Sequence, residues 1–162
     1  MDSKNKSMSI IVTKGTLDWA YPPFILATTA ASMGLDVTLF FTFYGLGLLK
    51  KSLDLKITTL GNAAMEMPMM GMHIQMPNLV GALPGMDAMA STMMKNLIKK
   101  KGVASIEELR EAAIEAEVRM IACQMTLDLF EYSKAELIDG IELAGAATYI
   151  EVATKSDINL YI

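Results

Sequence analysis

The sequence has little of what several function classes require. One of its 162 residues is a cysteine and one is a histidine. A single cysteine excludes a disulfide scaffold within the chain. A Cys–His nucleophile pair also lacks support, because nothing in the sequence places His73 beside Cys123. Basic residues are scarce as well: 14 Lys and Arg against 18 Asp and Glu give a net charge of −4, which argues against a nucleic-acid partner.

Hydrophobic residues, and methionine above all, are abundant. The hydrophobic fraction is 52%, the mean hydropathy is +0.36, and ten of the 15 methionines lie between Met65 and Met94. A chain this apolar can offset its ordering entropy by burial, which excludes intrinsic disorder. Its length corresponds to one domain with a core of its own.

A membrane segment is the first alternative suggested by this hydropathy. The longest stretch without a formal charge, residues 67–86, is interrupted by three prolines and three glycines. A lipid-facing helix broken so often would leave backbone groups unpaired, so we expect no transmembrane segment, with peripheral membrane contact left open. The polar N-terminus does not have the pattern of a signal peptide, and together with the single free thiol it indicates the cytoplasm.

Short apolar runs alternate with helical segments along the chain. Strands are predicted at residues 9–13, 36–41, 118–122, 141–143 and 158–162. Helices are predicted at residues 17–32, 46–53, 87–100, 105–116, from 126 onward, and 146–153. The alternation predicts a single doubly wound α/β domain over residues 9–162, with a mostly parallel sheet of about five strands. Residues 1–8 are predicted to be a disordered tail, and residues 61–85 an irregular Met-rich segment.

Ligands of such folds bind beyond the carboxyl ends of the strands. Gly15, Thr16 and Tyr44 follow the first two predicted strands, and Cys123 follows the third. Cys123 also precedes a predicted helix, whose free N–H groups favour a thiolate. It is therefore a candidate nucleophile, and the alternative is a small buried hydrophobic residue. His73 is a further candidate for the crevice.

The Met-rich segment has two interpretations. Met67, Met69, Met72 and His73 offer thioethers and an imidazole, which suit Cu(I). Methionine also fills irregular gaps and adaptable interfaces, so the segment equally fits a pliable apolar flap or a subunit contact.

Four stretches of the sequence resemble the DsrE/DsrF/DsrH-like family, in its DsrE-type sulfurtransferase branch. Residues 120–128 (MIACQMTLD) resemble the cysteine motif C-x-M-[ST]-M-D of that branch, and residues 34–46 (GLDVTLFFTFYGL) resemble its G-x-x-V-x-x-F-F-T-F-[WY]-G-L segment. Residues 105–109 and 136–140 match as well. The resemblance extends from Ile10 to the C-terminus.

This resemblance implies a flavodoxin-like fold, a homo-oligomer and a role as sulfur carrier or sulfurtransferase. Cys123 would carry sulfane sulfur as a persulfide and exchange it with TusA-like or rhodanese-like partners, without a cofactor. Gln124, Met125 and Thr126 would support the thiolate or persulfide, the first two through their backbone N–H groups. A non-catalytic module that binds a small ligand at the same crevice remains an alternative, as does the Cu(I) site.

Overall fold

A computed structural model describes residues 5–62, 64–69 and 72–162, without the side chains of residues 67–69 and 72–74. Its elements, in chain order, are β1 (Ser7–Val12), α1 (Leu17–Ser32), β2 (Asp36–Phe41), a first 3₁₀ helix (Phe43–Leu49), β3 (Glu66–Met69), β4 (Met72–Gln75), α2 (Asn78–Gly81), α3 (Met86–Lys100), α4 (Ile106–Glu115), β5 (Arg119–Cys123), α5 (Gln124–Leu129), a second 3₁₀ helix (Lys134–Glu136), β6 (Glu142–Ala144), α6 (Ala146–Ala153) and β7 (Ile158–Tyr161).

Five parallel strands form the main sheet, in the order β6–β5–β2–β1–β7. Ile10, Leu39, Phe41 and Ile121, on its three central strands, have no exposed surface. Continuous apolar strands of this kind are typical of a parallel sheet that is covered on both faces. The fold is the predicted doubly wound, flavodoxin-like α/β arrangement.

The chain divides into two compact units. The first contains the main sheet and comprises residues 5–15, 19–53 and 105–162. The second comprises the described residues of 16–18 and 54–104. That residues 9–162 fold as one domain stays a prediction.

The first strand begins two residues earlier than the sequence predicted. β1 begins at Ser7, so the predicted tail over residues 1–8 extends too far; residues 1–4 lie outside the described part of the chain. The reason is a contact distant in sequence: the N–H of Ser7 donates a hydrogen bond to the Asp157 carboxylate at 2.8 Å. Such a contact extends the ordered strand beyond its apolar run.

The helix predicted at residues 46–53 is instead the first 3₁₀ helix, which begins at Phe43 and ends at Leu49. Backbone carbonyls at the end of this helix accept hydrogen bonds from a side chain of another element. The guanidinium of Arg110, on α4, donates to the carbonyls of Leu48 at 2.9 Å and Lys50 at 2.7 Å. Last-turn carbonyls need partners from outside the helix, and here a buried side chain provides them.

The Met-rich segment is less irregular than predicted. β3 and β4 form an antiparallel pair in which Pro68 lies opposite His73, and two-stranded pairs tolerate proline because one edge of each strand is free. Met65 packs with Ile57 and Ala90 in a small core of the second unit. Among the described residues, none of the helices has both the length and the hydropathy needed to cross a bilayer.

Candidate functional site

Cys123 is the last residue of β5 and the residue that precedes α5. Phe41 pairs with Ala122, so the next residue after β2, Thr42, emerges beside Cys123 at the carboxyl edge of the sheet. On the other side Cys123 pairs with Ala144 of β6. Only 4% of the cysteine is exposed. The cysteine therefore lies at the edge of the sheet where the sequence predicted a ligand site.

Opposing influences act on the Cys123 thiol. Burial raises its pKa, but the hydroxyl and N–H of Thr126, the hydroxyl of Thr42 and the N–H of Met125 lower the pKa by more. The pKa of Cys123 is therefore below its ordinary value. Hydroxyl and N–H dipoles near a thiol favour its charged form, the thiolate.

The two threonine hydroxyls form one cluster. Their Oγ1 atoms are 3.2 Å apart, and the N–H of Phe43 donates to the Oγ1 of Thr126 at 3.2 Å. Thr126 is completely buried, whereas Thr42 is half-buried. The start of the first 3₁₀ helix and the first turn of α5 are thus joined through the Thr126 hydroxyl.

The predicted support residues follow Cys123 directly on α5. The hydroxyl and N–H of Thr126 and the N–H of Met125 are among the groups that lower the pKa of Cys123, whereas the side-chain amide of Gln124 donates to the Asp128 carboxylate at 2.8 Å. That these three residues support the thiolate or persulfide stays a prediction. Thr42 was not among the predicted support residues, and the register between β2 and β5 places it beside Cys123.

Two of the crevice candidates lie against each other. A Cβ added to Gly15 would lie 2.3 Å from the carbonyl oxygen of Tyr44, so the two backbones are in direct contact. The N–H of Gly45 donates to the carbonyl of Thr13 at 3.0 Å. Gly15 therefore allows close backbone packing between the loop after β1 and the first 3₁₀ helix.

The other two crevice candidates, Thr16 and His73, belong to the second unit. The Thr16 hydroxyl accepts a hydrogen bond from that of Thr58 at 2.9 Å. His73 lies in β4, and its side chain is outside the described part of the chain, as are those of Met67, Met69 and Met72 of the Cu(I) alternative. No three His, Cys, Asp or Glu side chains in the described residues are grouped as metal ligands.

Sequence reasoning also missed a chain of aromatic rings between the first 3₁₀ helix and the residues that follow α5. Tyr44 stacks on Phe130 at 5.7 Å between ring centroids, Phe43 meets Phe130 edge-on at 6.3 Å, and Tyr132 lies 5.8 Å from Phe130. Phe43 is 46% exposed and Tyr44 72%. Phe43 also has a φ of +47°, which a bulky residue rarely adopts. The backbone is thus held in an unfavourable conformation beside the site.

Comparison with known proteins shows the family to which the chain belongs. Residues 4–161 match the model of the DsrE/DsrF/DrsH-like family. The chain is 63% identical over 159 residues to the sulfur carrier protein DsrE2 of Allochromatium vinosum, covering 98% of this chain and 99% of that one. It is 33% identical over 167 residues to the uncharacterized protein YrkE of Bacillus subtilis, with both chains fully covered.

Among solved structures, the crystal structure of the YchN protein from E. coli has the same fold. Its TM-score is 0.53 at 13% identity, covering 97% of this chain and 99% of that one. On the family match and the two relatives together, the chain belongs to the DsrE/DsrF/DrsH-like family.

Proposed function

We propose that this protein is a sulfur carrier, which holds sulfane sulfur as a persulfide on Cys123. The observation that carries the proposal is the position of Cys123 at the carboxyl edge of the parallel sheet, directly before α5, where neighbouring hydroxyl and N–H groups lower the pKa of the thiol despite its burial. The thiolate is the nucleophilic form of cysteine. The name of the DsrE2 relative, a sulfur carrier protein, supports the same function.

Loading requires only one thiol. The Cys123 thiolate attacks the outer sulfur of a donor persulfide, R–S–SH, and the donor leaves as R–S⁻ with the electron pair of the broken S–S bond. The product is Cys123–S–SH, and no external oxidant or reductant is consumed. The single cysteine of the chain is therefore sufficient.

The surroundings of Cys123 suit a labile sulfur. Phe40, Ile121 and Tyr149 pack around the cysteine in one buried apolar cluster, which limits access of water and small thiols. Transfer then requires a partner thiol that reaches the carboxyl edge of the sheet. We propose TusA-like or rhodanese-like proteins as those partners, a homo-oligomer as the working form, and the cytoplasm as its location.

Mass spectrometry after exposure to a sulfane-sulfur donor tests this proposal. We expect the chain to gain the mass of one sulfur atom on the peptide that contains Cys123, and a reductant to remove it. The matched control is Cys123→Ser, which keeps the size of the side chain and removes the sulfur. No adduct with inorganic polysulfide or a small-molecule persulfide, or an adduct that persists in Cys123→Ser, overturns the proposal.

A further inference from the structure

A largely exposed apolar surface lies on the elements beside Cys123. It consists of Phe43 and Tyr44 of the first 3₁₀ helix, Met125 and Leu129 of α5, and Phe130. Met125 is 62% exposed and Leu129 59%. A single exposed hydrophobic residue is ordinary, whereas a group of them marks an interaction site.

The apolar surface borders the cysteine from two elements. α5 begins directly after Cys123, and the first 3₁₀ helix begins directly after Thr42, which the strand register places beside the cysteine. The N–H of Phe43 donates to the Oγ1 of Thr126 at 3.2 Å, which joins the two helices. At a rise of about 1.5 Å per residue, Phe130 lies about 10 Å beyond Cys123 along α5. An extended segment of about three residues spans that distance.

Ring contacts hold the aromatic part of the apolar surface in one arrangement. Tyr44 stacks on Phe130, and Phe43 meets the same ring edge-on. The φ of Phe43 is +47°, and unfavourable backbone conformations of this kind are concentrated at binding and active sites. A surface that is ordered in advance loses little side-chain entropy when a partner binds.

On α5 the apolar surface adjoins a polar pair. Met125 and Leu129 are four positions apart and therefore lie on one exposed face of the helix. Gln124 and Asp128, which are also four positions apart, form a hydrogen bond of 2.8 Å. An apolar centre with a polar edge is the usual arrangement of a surface that binds protein.

We propose, on the basis of the sulfur-carrier function, that this apolar surface selects acceptor thiols that are carried between apolar side chains. Only 4% of Cys123 is exposed, so an acceptor has to approach the carboxyl edge of the sheet closely to reach the carried sulfur. The side chains on either side of the acceptor thiol then contact Tyr44, Met125 or Leu129. Burial of apolar side chains against these residues favours binding, and polar side chains forgo that gain.

The step that follows binding is an exchange between two sulfur atoms. The acceptor thiolate attacks the outer sulfur of Cys123–S–SH, and the S–S bond breaks. The outer sulfur and its proton go to the acceptor as R–S–SH, and the electron pair stays on the Cys123 sulfur. No oxidant or reductant is consumed, so the neighbours of the acceptor thiol affect its binding and leave the balance of the reaction unchanged.

The test measures sulfur delivery to two synthetic peptides of equal length, each with one cysteine. The first peptide has leucine and phenylalanine beside the cysteine, and the second has serine and glycine there. Loaded wild-type protein is mixed with each peptide below saturation, and the peptide persulfide is measured by mass. Each rate is divided by the rate of delivery to cyanide, which has no side chains. We expect the apolar peptide to accept sulfur about tenfold faster, as for the burial of about one apolar side chain.

Three variants each change one exposed side chain of the apolar surface: Tyr44→Ser, Met125→Gln and Leu129→Gln. We expect each of them to reduce the preference for the apolar peptide about threefold, because part of the buried contact is lost. Met33→Gln is the matched control for Met125→Gln. Met33 is 74% exposed but precedes β2 at the amino edge of the sheet, so this variant keeps the full preference. Thermal melting and size-exclusion chromatography report the folding and the subunit number of every variant.

The outcomes distinguish the two proposals. If wild type takes up no sulfur, the sulfur-carrier function fails. If wild type loads but delivers to both peptides at equal corrected rates, the function stands and the selection of acceptors is refuted. A preference that persists in all the folded surface variants, or that Met33→Gln loses as well, also refutes it. A fall in subunit number that accompanies the lost preference assigns the surface to a second copy of the chain and overturns the proposal.

Discussion

The two ends of the main sheet are built from different chemistry. At the amino end, Arg119 makes two hydrogen bonds to Glu142, at 2.8 and 2.9 Å, and Lys155 pairs with Glu151 at 2.7 Å. Arg119, Glu151 and Lys155 line an open cavity of about 340 Å³. At the carboxyl end, hydroxyls, amides and aromatic rings surround one buried sulfur, that of Cys123.

The comparison shows that the pKa values at the two ends have different causes. At the amino end the charged partner is the cause, since Lys155 lowers the pKa of Glu151. The side chains of Arg119 and Glu142 are 43% and 41% exposed, so water screens their attraction and the pair contributes little to stability. At Cys123 water is largely excluded, and neutral hydroxyl and N–H groups lower the pKa of the thiol.

The largest effect is expected from Gly45→Ala, which disrupts the carboxyl end. The added Cβ would lie 2.2 Å from the backbone oxygen of Val12, and backbone cannot move aside as a flexible side chain can. We expect the free energy of unfolding to fall by about 3 kcal/mol, as for severe overpacking. Chemical denaturation measures it. Gly47→Ala is the matched control, because no atom lies within 4 Å of its new Cβ; equal losses in both variants would contradict the argument.

A somewhat smaller loss is expected from Arg110→Met. The variant keeps much of the apolar bulk but leaves the carbonyls of Leu48 and Lys50 without the guanidinium. We expect a loss of about 2 kcal/mol of unfolding free energy, because two carbonyls at the end of the first 3₁₀ helix lose their hydrogen-bond donor. Lysine at the same position serves as the control and recovers part of the stability. Unchanged stability in Arg110→Met would show that the helix end needs no external partner.

A third, still smaller effect is the dependence of stability on pH. The pKa of Cys123 is lower in the folded chain than its ordinary value. The resulting stabilisation is present in full above the ordinary thiol pKa of about 8.5, and it is lost as the pH falls through the folded pKa. We therefore expect the free energy of unfolding of wild type, relative to Cys123→Ser, to rise with pH across that window. A flat difference would contradict the direction of the shift.

The smallest effect is expected at the amino end. Arg119→Gln removes the exposed ion pair with Glu142 and should cost about 0.2–1 kcal/mol of unfolding free energy, which a double-mutant cycle with Glu142→Gln isolates. Sulfur uptake at Cys123 should not change. A loss larger than that of Arg110→Met, or a change in uptake, would break the contrast between the two ends.

Local sequence patterns were sufficient for much of the fold. The predicted bounds of α1, β2 and α6 are confirmed, and α4, predicted from residue 105, begins after a capping box formed by Ser105 and Glu108. These features depend on neighbours within a few residues, where periodicity and capping act. The 3₁₀ helix and the β3–β4 pair were not predicted, because the first depends on Arg110 of α4 and the second on a two-stranded edge that tolerates Pro68.

The candidate site also depends partly on local sequence and partly on contacts between residues distant in sequence. The sequence alone determined that its one cysteine follows an apolar strand and precedes a helix, because both elements are encoded by residues beside it. Only the tertiary structure decided which groups surround the sulfur: Thr42 arrives beside Cys123 through the register of two strands, and Phe40 and Tyr149 pack with it from β2 and α6. Hydrogen bonds depend on distance and angle within tenths of an ångström, and a pattern of residue types along the chain does not carry that geometry.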